Sequence, residues 1–203
     1  MKEIGILDWQ GKYQNPLTGK KYSENYSKLS TVDPAWSELP LYKEAKKVIK
    51  LIENNRVCVI ESGTGTGKTV ILPKLALHTL DYKGNVVMTI PKKAATLSSA
   101  SFAAACLDVK LGEEVGFQYQ GAKIEESLDE NDEIIIRDAK SKKTKLLFST
   151  EGSVVQQITR DPALKDYNIV IIDEAHERSI DIDRLLVLIR EALLINPKLK
   201  LIV

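Results

Sequence analysis

A short apolar run, Val57 to Ile60, gives way to a loop with glycine at positions 63, 65 and 67, and Lys68 then opens a stretch with helical rhythm. A strand feeding a glycine-rich turn and then a helix is the first half of a strand–helix–strand unit. It commits the chain early to a sheet with crossover helices. The rest of the sequence keeps that alternation. "NVVMTI" (85–90), "TKLLFST" (144–150), "YNIVIID" (167–173) and "KLKLIV" (198–203) read as further strands, and "EVGFQYQ" (114–120) as a short one. Helical patterns lie between them at 68–80, 92–109, 151–161 and 181–194. Ahead of the loop, 39–55 sets Leu41, Ala45, Val48, Ile49 and Ile52 on one helical face. Pro73 falls in the opening turns of its helix, where a missing N–H does little harm. Most of the strands are continuous apolar runs, which predicts an α/β fold with a parallel sheet covered by helices on both faces.

The chain has 203 residues, room for one sizeable domain with or without an appendage. Lys plus Arg number 29 against 28 Asp plus Glu, so any basic surface must be local. Cys58 and Cys106 stand far apart in apolar settings and read as buried thiols, which suits a reducing, intracellular compartment. No apolar run approaches the roughly 18 residues of a membrane span. The first residues, "MKEIGILDWQ", lack the pattern of a secretory signal.

Residues 1–38 differ in character from the rest of the chain. They are polar, rich in Tyr and turn formers, and without sustained periodicity. They read as an N-terminal arm, partly ordered at best, or as an extension that docks Trp9, Tyr13 and Trp36 on a domain spanning 39–203. The stretch 121–143 is the most charged and reads as a surface insertion with a solvated face.

The loop "ESGTGTGKT" (61–69) meets the physical needs of a phosphate cradle. The pattern G-x-x-x-x-G-K-[ST] is matched except at its first position, where Ser62 is small enough for the same turn. Gly63, Thr64, Gly65, Thr66 and Gly67 can direct backbone N–H groups at phosphate oxygens, and the following helix adds its positive end. Lys68 can reach the β and γ phosphates, and Thr69 offers a hydroxyl to Mg²⁺. The strand "NIVII" delivers Asp173 and Glu174 to its C-terminal edge, where open α/β sheets bind ligands. Asp173 is placed to hold Mg²⁺, and Glu174 to orient and deprotonate a water. Loop and acids together suit ATP or another nucleoside triphosphate with its magnesium.

"DEAHER" (173–178) resembles motif II of the DEAH-box helicases. Other stretches occur in the family's order. "SGTGTGKT" (62–69) resembles motif I, "TIPKKAAT" (89–96) motif Ia, and "STEGSVV" (149–155) motif Ib with Glu151 where Asp is commoner. "DVKLGEEVGFQYQ" (108–120) is similar to a further family stretch. The resemblance covers roughly 39–203. It implies the first RecA-like domain of an NTP-driven helicase acting on single-stranded RNA, less often DNA. It implies that His176 couples the ATP site to a second RecA-like domain, with helix capping as the plainer reading, while His78 reads as structural. Thr89, Pro91, Lys92, Lys93, Thr150 and Gly152 would hold a sugar-phosphate backbone, which carries no sequence information. Lys92 and Lys93 keep the charge of the usual arginines without the bidentate fork.

Phe102 stands where the family often has an arginine that stacks on the nucleobase, so it is expected either to stack on the base or to face the core. The insertion 121–143 is longer than its family counterpart. The family's Ser-Ala-Thr motif would come after Val203, so the second RecA-like domain and its arginine fingers are expected further along a longer, monomeric protein. The chain alone is expected to bind nucleotide weakly and hydrolyse it poorly. The polar arm and divergent motifs suit a large DNA virus as source. Two other readings remain open: a DNA-directed helicase or translocase domain, and a P-loop module that binds nucleic acid without turnover.

Overall fold

The computed structural model describes residues 3–31, 35–127 and 134–203. Helix α1 (Glu24–Thr31) belongs to the N-terminal arm. Helices α2 (Pro40–Lys43) and α3 (Ala45–Asn54) come next, then strand β1 (Val57–Cys58), helix α4 (Lys68–Thr79), strand β2 (Val86–Thr89) and helix α5 (Lys93–Leu107). Beyond them lie β3 (Val115–Gln118), the hairpin β4 (Lys123–Ser127) and β5 (Ile134–Asp138), and β6 (Leu146–Ser149). The chain closes with α6 (Glu151–Arg160), β7 (Ile169–Ile172), α7 (Ile180–Ile195) and β8 (Lys200–Ile202).

Six strands form one parallel sheet in the order β1-β8-β7-β2-β6-β3. Alternate side chains divide its two faces. Val86, Met88, Leu146, Phe148, Ile169 and Ile171 point to the side covered by α3, α4 and α5. Val87, Leu147, Val170, Ile172 and Leu201 point to the side covered by α6 and α7. This period of two on strands buried on both faces is why the runs read as uninterrupted apolar sequence.

The helical pattern at 39–55 is interrupted at Glu44, yet its predicted face of Leu41, Ala45, Val48, Ile49 and Ile52 is buried. The first strand is shorter than its apolar run. Its pairing stops at Cys58, and Val59 is 73% exposed on the sheet edge, although Ile60 N still donates to Val203 O. Cys58 and Cys106 are both buried and unpaired.

The arm, read from sequence as partly ordered or docked, is docked in its described residues. Its described residues pack into the same core as α3, α4 and α5, with Ile6, Tyr26 and Trp36 nearly inaccessible to solvent. Ile6 N donates to Tyr82 Oη at 2.7 Å, and Tyr82 Oη in turn meets His78 Nδ1 at 3.0 Å, a structural setting for that histidine. Asn15 Nδ2 donates to Leu107 O at 2.8 Å. Of the three aromatics expected to dock, Trp36 is buried, while Trp9 and Tyr13 stay on the surface. Residues 1–2 and 32–34 of the arm lie outside the described residues.

The charged stretch 121–143 is built around the antiparallel pair β4 and β5, with Lys123 Nζ 2.6 Å from Asp138 Oδ1. Its acidic centre, 128–133, lies outside the described residues. Among the described residues no helix is long and apolar enough to cross a membrane.

Candidate active site

In a parallel sheet every strand ends on the same edge, so the segments after β1, β7, β2 and β6 lie along one rim. Two groups of predicted residues sit there. The first lines a cleft of about 710 Å³ whose walls include Ser62 to Thr69 and Asp173 to His176.

The loop after β1 is held by its own polar groups. Thr66 Oγ1 donates to Gly63 O at 2.9 Å and lies 2.8 Å from Ser62 Oγ, so the departure at Ser62 supplies a brace. Leu41 N donates to Thr66 O at 3.1 Å, tying the loop to α2. Gly65 has φ +77 and nothing within 4 Å of where a side chain would begin, which leaves its backbone open to a ligand. Gly67 caps α4 with φ +91, and a Cβ there would lie 2.7 Å from Leu39 Cδ1. Gly67→Ala is therefore expected to lose about 1–2 kcal/mol of stability from the left-handed backbone alone. It should also weaken nucleotide binding by distorting the cradle. A urea melt and a nucleotide titration check this, and an unchanged pair of values would count against the assigned loop geometry.

Lys68 Nζ turns back onto the loop, donating to Ser62 O at 2.5 Å and lying 3.4 Å from Gly63 O. Thr69 Oγ1 donates to Asp173 Oδ2 at 2.8 Å across the cleft. Asp173 is almost wholly buried, and its other oxygen accepts from Glu174 N at 3.1 Å. A hydroxyl and a carboxylate facing each other at this range are hard oxygen donors of the kind magnesium takes. Among the described residues no cluster of three or more His, Cys, Asp or Glu forms a metal cage. A cation here would draw its remaining ligands from phosphate and water, as magnesium commonly does.

Glu174 and Arg178 bracket a short 3₁₀ turn at Ala175–Glu177, both with left-handed backbone (φ +51 and +52). The turn brings His176 Nδ1 to 3.3 Å from Glu174 Oε2, with the imidazole largely exposed. His176 thus touches the acid while facing solvent, rather than being confined to a helix cap.

The second group forms a ledge beside the cleft. β2 and β6 are neighbours in register, Thr89 against Ser149, so α5 and α6 start from adjacent strand ends before passing to opposite faces of the sheet. Neither helix has a side-chain cap at its N-terminus, which leaves amides free for an anion. Lys92 and Lys93 are exposed there, with Lys93 Nζ 5.8 Å from the Tyr119 ring centroid. Pro91, Thr150 and Gly152 are half-buried, and Thr150 Oγ1 meets Ser153 Oγ at 3.0 Å.

Two predicted residues stand apart from these two groups. Thr89 ends a central strand flanked by β6 and β7 and is fully buried, so its side chain is closed off from any strand on the ledge. Phe102 does not line the cleft. Its ring, on α5, is 37% exposed and therefore not a core residue either, and it lies 5.9 Å from Lys74 Nζ. Sequence reasoning missed the supports: the brace role of Ser62, Leu39 behind Gly67, and Ser179, whose side chain caps α7 by accepting from Ile182 N at 3.1 Å. Ser179 stands one residue past the acidic motif and was legible only as a good N-cap residue.

The DEAD/DEAH box helicase family matches residues 42–197. A protein of Acanthamoeba polyphaga mimivirus named as a putative ATP-dependent RNA helicase is 43% identical over 203 residues, which is 99% of this chain and 27% of that protein. The ATP-dependent RNA helicase HrpA of Borreliella burgdorferi is 37% identical over 155 residues, covering 76% of this chain and 17% of its own length. The chain therefore spans about a quarter or less of the curated relatives it matches.

Proposed function

The chain belongs to the DEAD/DEAH box helicase family and has its RecA-like α/β fold, and from that premise we propose that it is the ATP-binding domain of an RNA helicase. The observation that carries this reading is the Thr69–Asp173 hydrogen bond. It joins the phosphate loop to the acidic strand end at the point where a magnesium-triphosphate would bridge them. On binding, the triphosphate displaces Lys68 from the loop carbonyls, so that its ammonium neutralises phosphate charge instead. Thr69 and Asp173 would hold a magnesium ion, which would supply positive charge against the charge developing on the phosphates. Glu174, steadied by His176, orients the attacking water and takes its proton.

The ledge of Lys92, Lys93, Thr150 and Gly152 holds the phosphates of a single strand. Two relatives named as RNA helicases favour RNA over DNA as that strand. His176, on the exposed side of the cleft, faces a second RecA-like domain of the same longer protein, which completes the hydrolysis site. We take residues 39–203 as the RecA-like unit with the arm docked upon it, in a monomer working inside the cell.

The test is ATP hydrolysis by the full-length protein with single-stranded RNA and then single-stranded DNA. RNA-stimulated turnover is the expected result. Stimulation by DNA alone would move the substrate to DNA, and binding without turnover would leave a non-hydrolysing module. Lys92→Ala with Lys93→Ala should weaken RNA binding evenly across sequences. It should also reduce the slope of log affinity against log salt by about 1.4, at roughly 0.7 per lost phosphate contact on a single strand. An unchanged slope would remove these lysines from the interface.

A further inference from the structure

Glu151 lies between two ledge residues, Thr150 and Gly152, yet its side chain faces inward and only 7% of the residue is exposed. Oε2 accepts from Ser179 Oγ at 3.2 Å, and Oε1 is buried with no hydrogen-bond partner among the described residues. Burial pushes this carboxyl up from the usual range, and Asp181 and Glu177 add to the rise against the Ser179 hydrogen bond. A buried acid with one oxygen unpartnered is a costly arrangement to place at random on a helix.

Its partner explains the position. Ser179 is the N-cap of α7, and it stands two residues beyond the turn that carries His176. The first turns of α6 and α7 also meet directly, since a Cβ on Gly152 would lie 3.3 Å from Asp181 Oδ2. A continuous path therefore runs from the ledge at Thr150 and Gly152, through Glu151 and Ser179, to the turn at His176, and on to Glu174, Asp173 and Thr69.

We propose that Glu151 is a positioning residue that couples the nucleic-acid ledge to the nucleotide cleft by holding Ser179, so that a strand seated on α6 sets the turn bearing His176 and Glu174. This rests on the reading of ledge and cleft given above. Glu151 touches neither nucleotide nor strand, and its effect passes through the α7 cap.

The experiment compares ATP turnover by the full-length protein with and without saturating poly(U) RNA. Glu151→Leu keeps most of the volume and loses the acceptor. Ser179→Gly is a tolerated N-cap for α7 and has no side chain to donate to Glu151. Each is expected to lower the RNA-stimulation ratio about tenfold, the upper size of one ordinary intramolecular hydrogen bond, with RNA-free turnover within about twofold of wild type. The double variant should be no worse than either single one, and Glu151→Gln, which still offers an amide oxygen, should retain stimulation.

Full stimulation in Ser179→Gly overturns the proposal, even if Glu151→Leu fails to fold. So does an equal loss with and without RNA, which marks a merely structural contact. A wild-type protein whose turnover RNA does not raise would sink the helicase reading itself, and that outcome appears before any substitution is made.

Discussion

Glu174→Gln is expected to lower ATP turnover in the full-length protein by about 10²–10⁴-fold, the range for removing a positioned general base. Magnesium–nucleotide affinity should stay within a few fold, because the amide keeps the shape of the side chain and Asp173 still faces Thr69. The acid is unusually well placed for such a role. Its left-handed backbone, the adjoining 3₁₀ turn and His176 Nδ1 at 3.3 Å all limit where its oxygens can go. Lys68→Ala makes the contrast. It removes the group expected to meet the β and γ phosphates, so it should weaken binding as well as turnover. Steady-state hydrolysis paired with calorimetric nucleotide titration separates the two. If Glu174→Gln turns over ATP at the wild-type rate, the cleft still holds nucleotide but this residue is not its base.

Trp36→Ala is expected to cost about 3–5 kcal/mol of folding stability, the range for truncating a large buried aromatic. Trp36 is fully buried, edge-on to Tyr42 at 5.2 Å and tilted against Tyr26 at 6.1 Å, with Lys74 Nζ 5.3 Å from its ring centroid. Its loss would unseat the arm from α4, the helix that carries Lys68 and Thr69 at its first turn. Nucleotide affinity should then fall along with the urea midpoint. A midpoint unchanged from wild type would show that the arm is held by something other than this side chain.

These two substitutions fall on opposite sides of what could be read from the chain. The position of Glu174 was legible because four apolar residues end in two acids, and a parallel strand has one place to put its last residues. The same holds for Gly63 to Thr69, where loop and helix start are contiguous. The corrections came where contacts cross the chain. Thr89 belongs to a motif that resembles a strand-binding one, yet its central position in the sheet buries it. Phe102 aligns with a base-stacking position, and its ring stands partly exposed on α5 outside the walls formed by the loop and the acids. No periodicity in 1–38 announced that Ile6 would bond to Tyr82, or that Asn15 would reach Leu107.

The order of apolar runs and helical stretches, with glycines at 63, 65 and 67 and acids at 173 and 174, determined a parallel α/β sheet and the two segments that meet at its rim. Backbone hydrogen bonding and the alternation of faces act over a few residues, so local sequence carries them. Only the tertiary structure decided that the arm is part of the core, which side chains the rim exposes, and that Glu151 reaches Ser179. Those outcomes depend on which distant surfaces exclude water together, and no short stretch of chain encodes its partner.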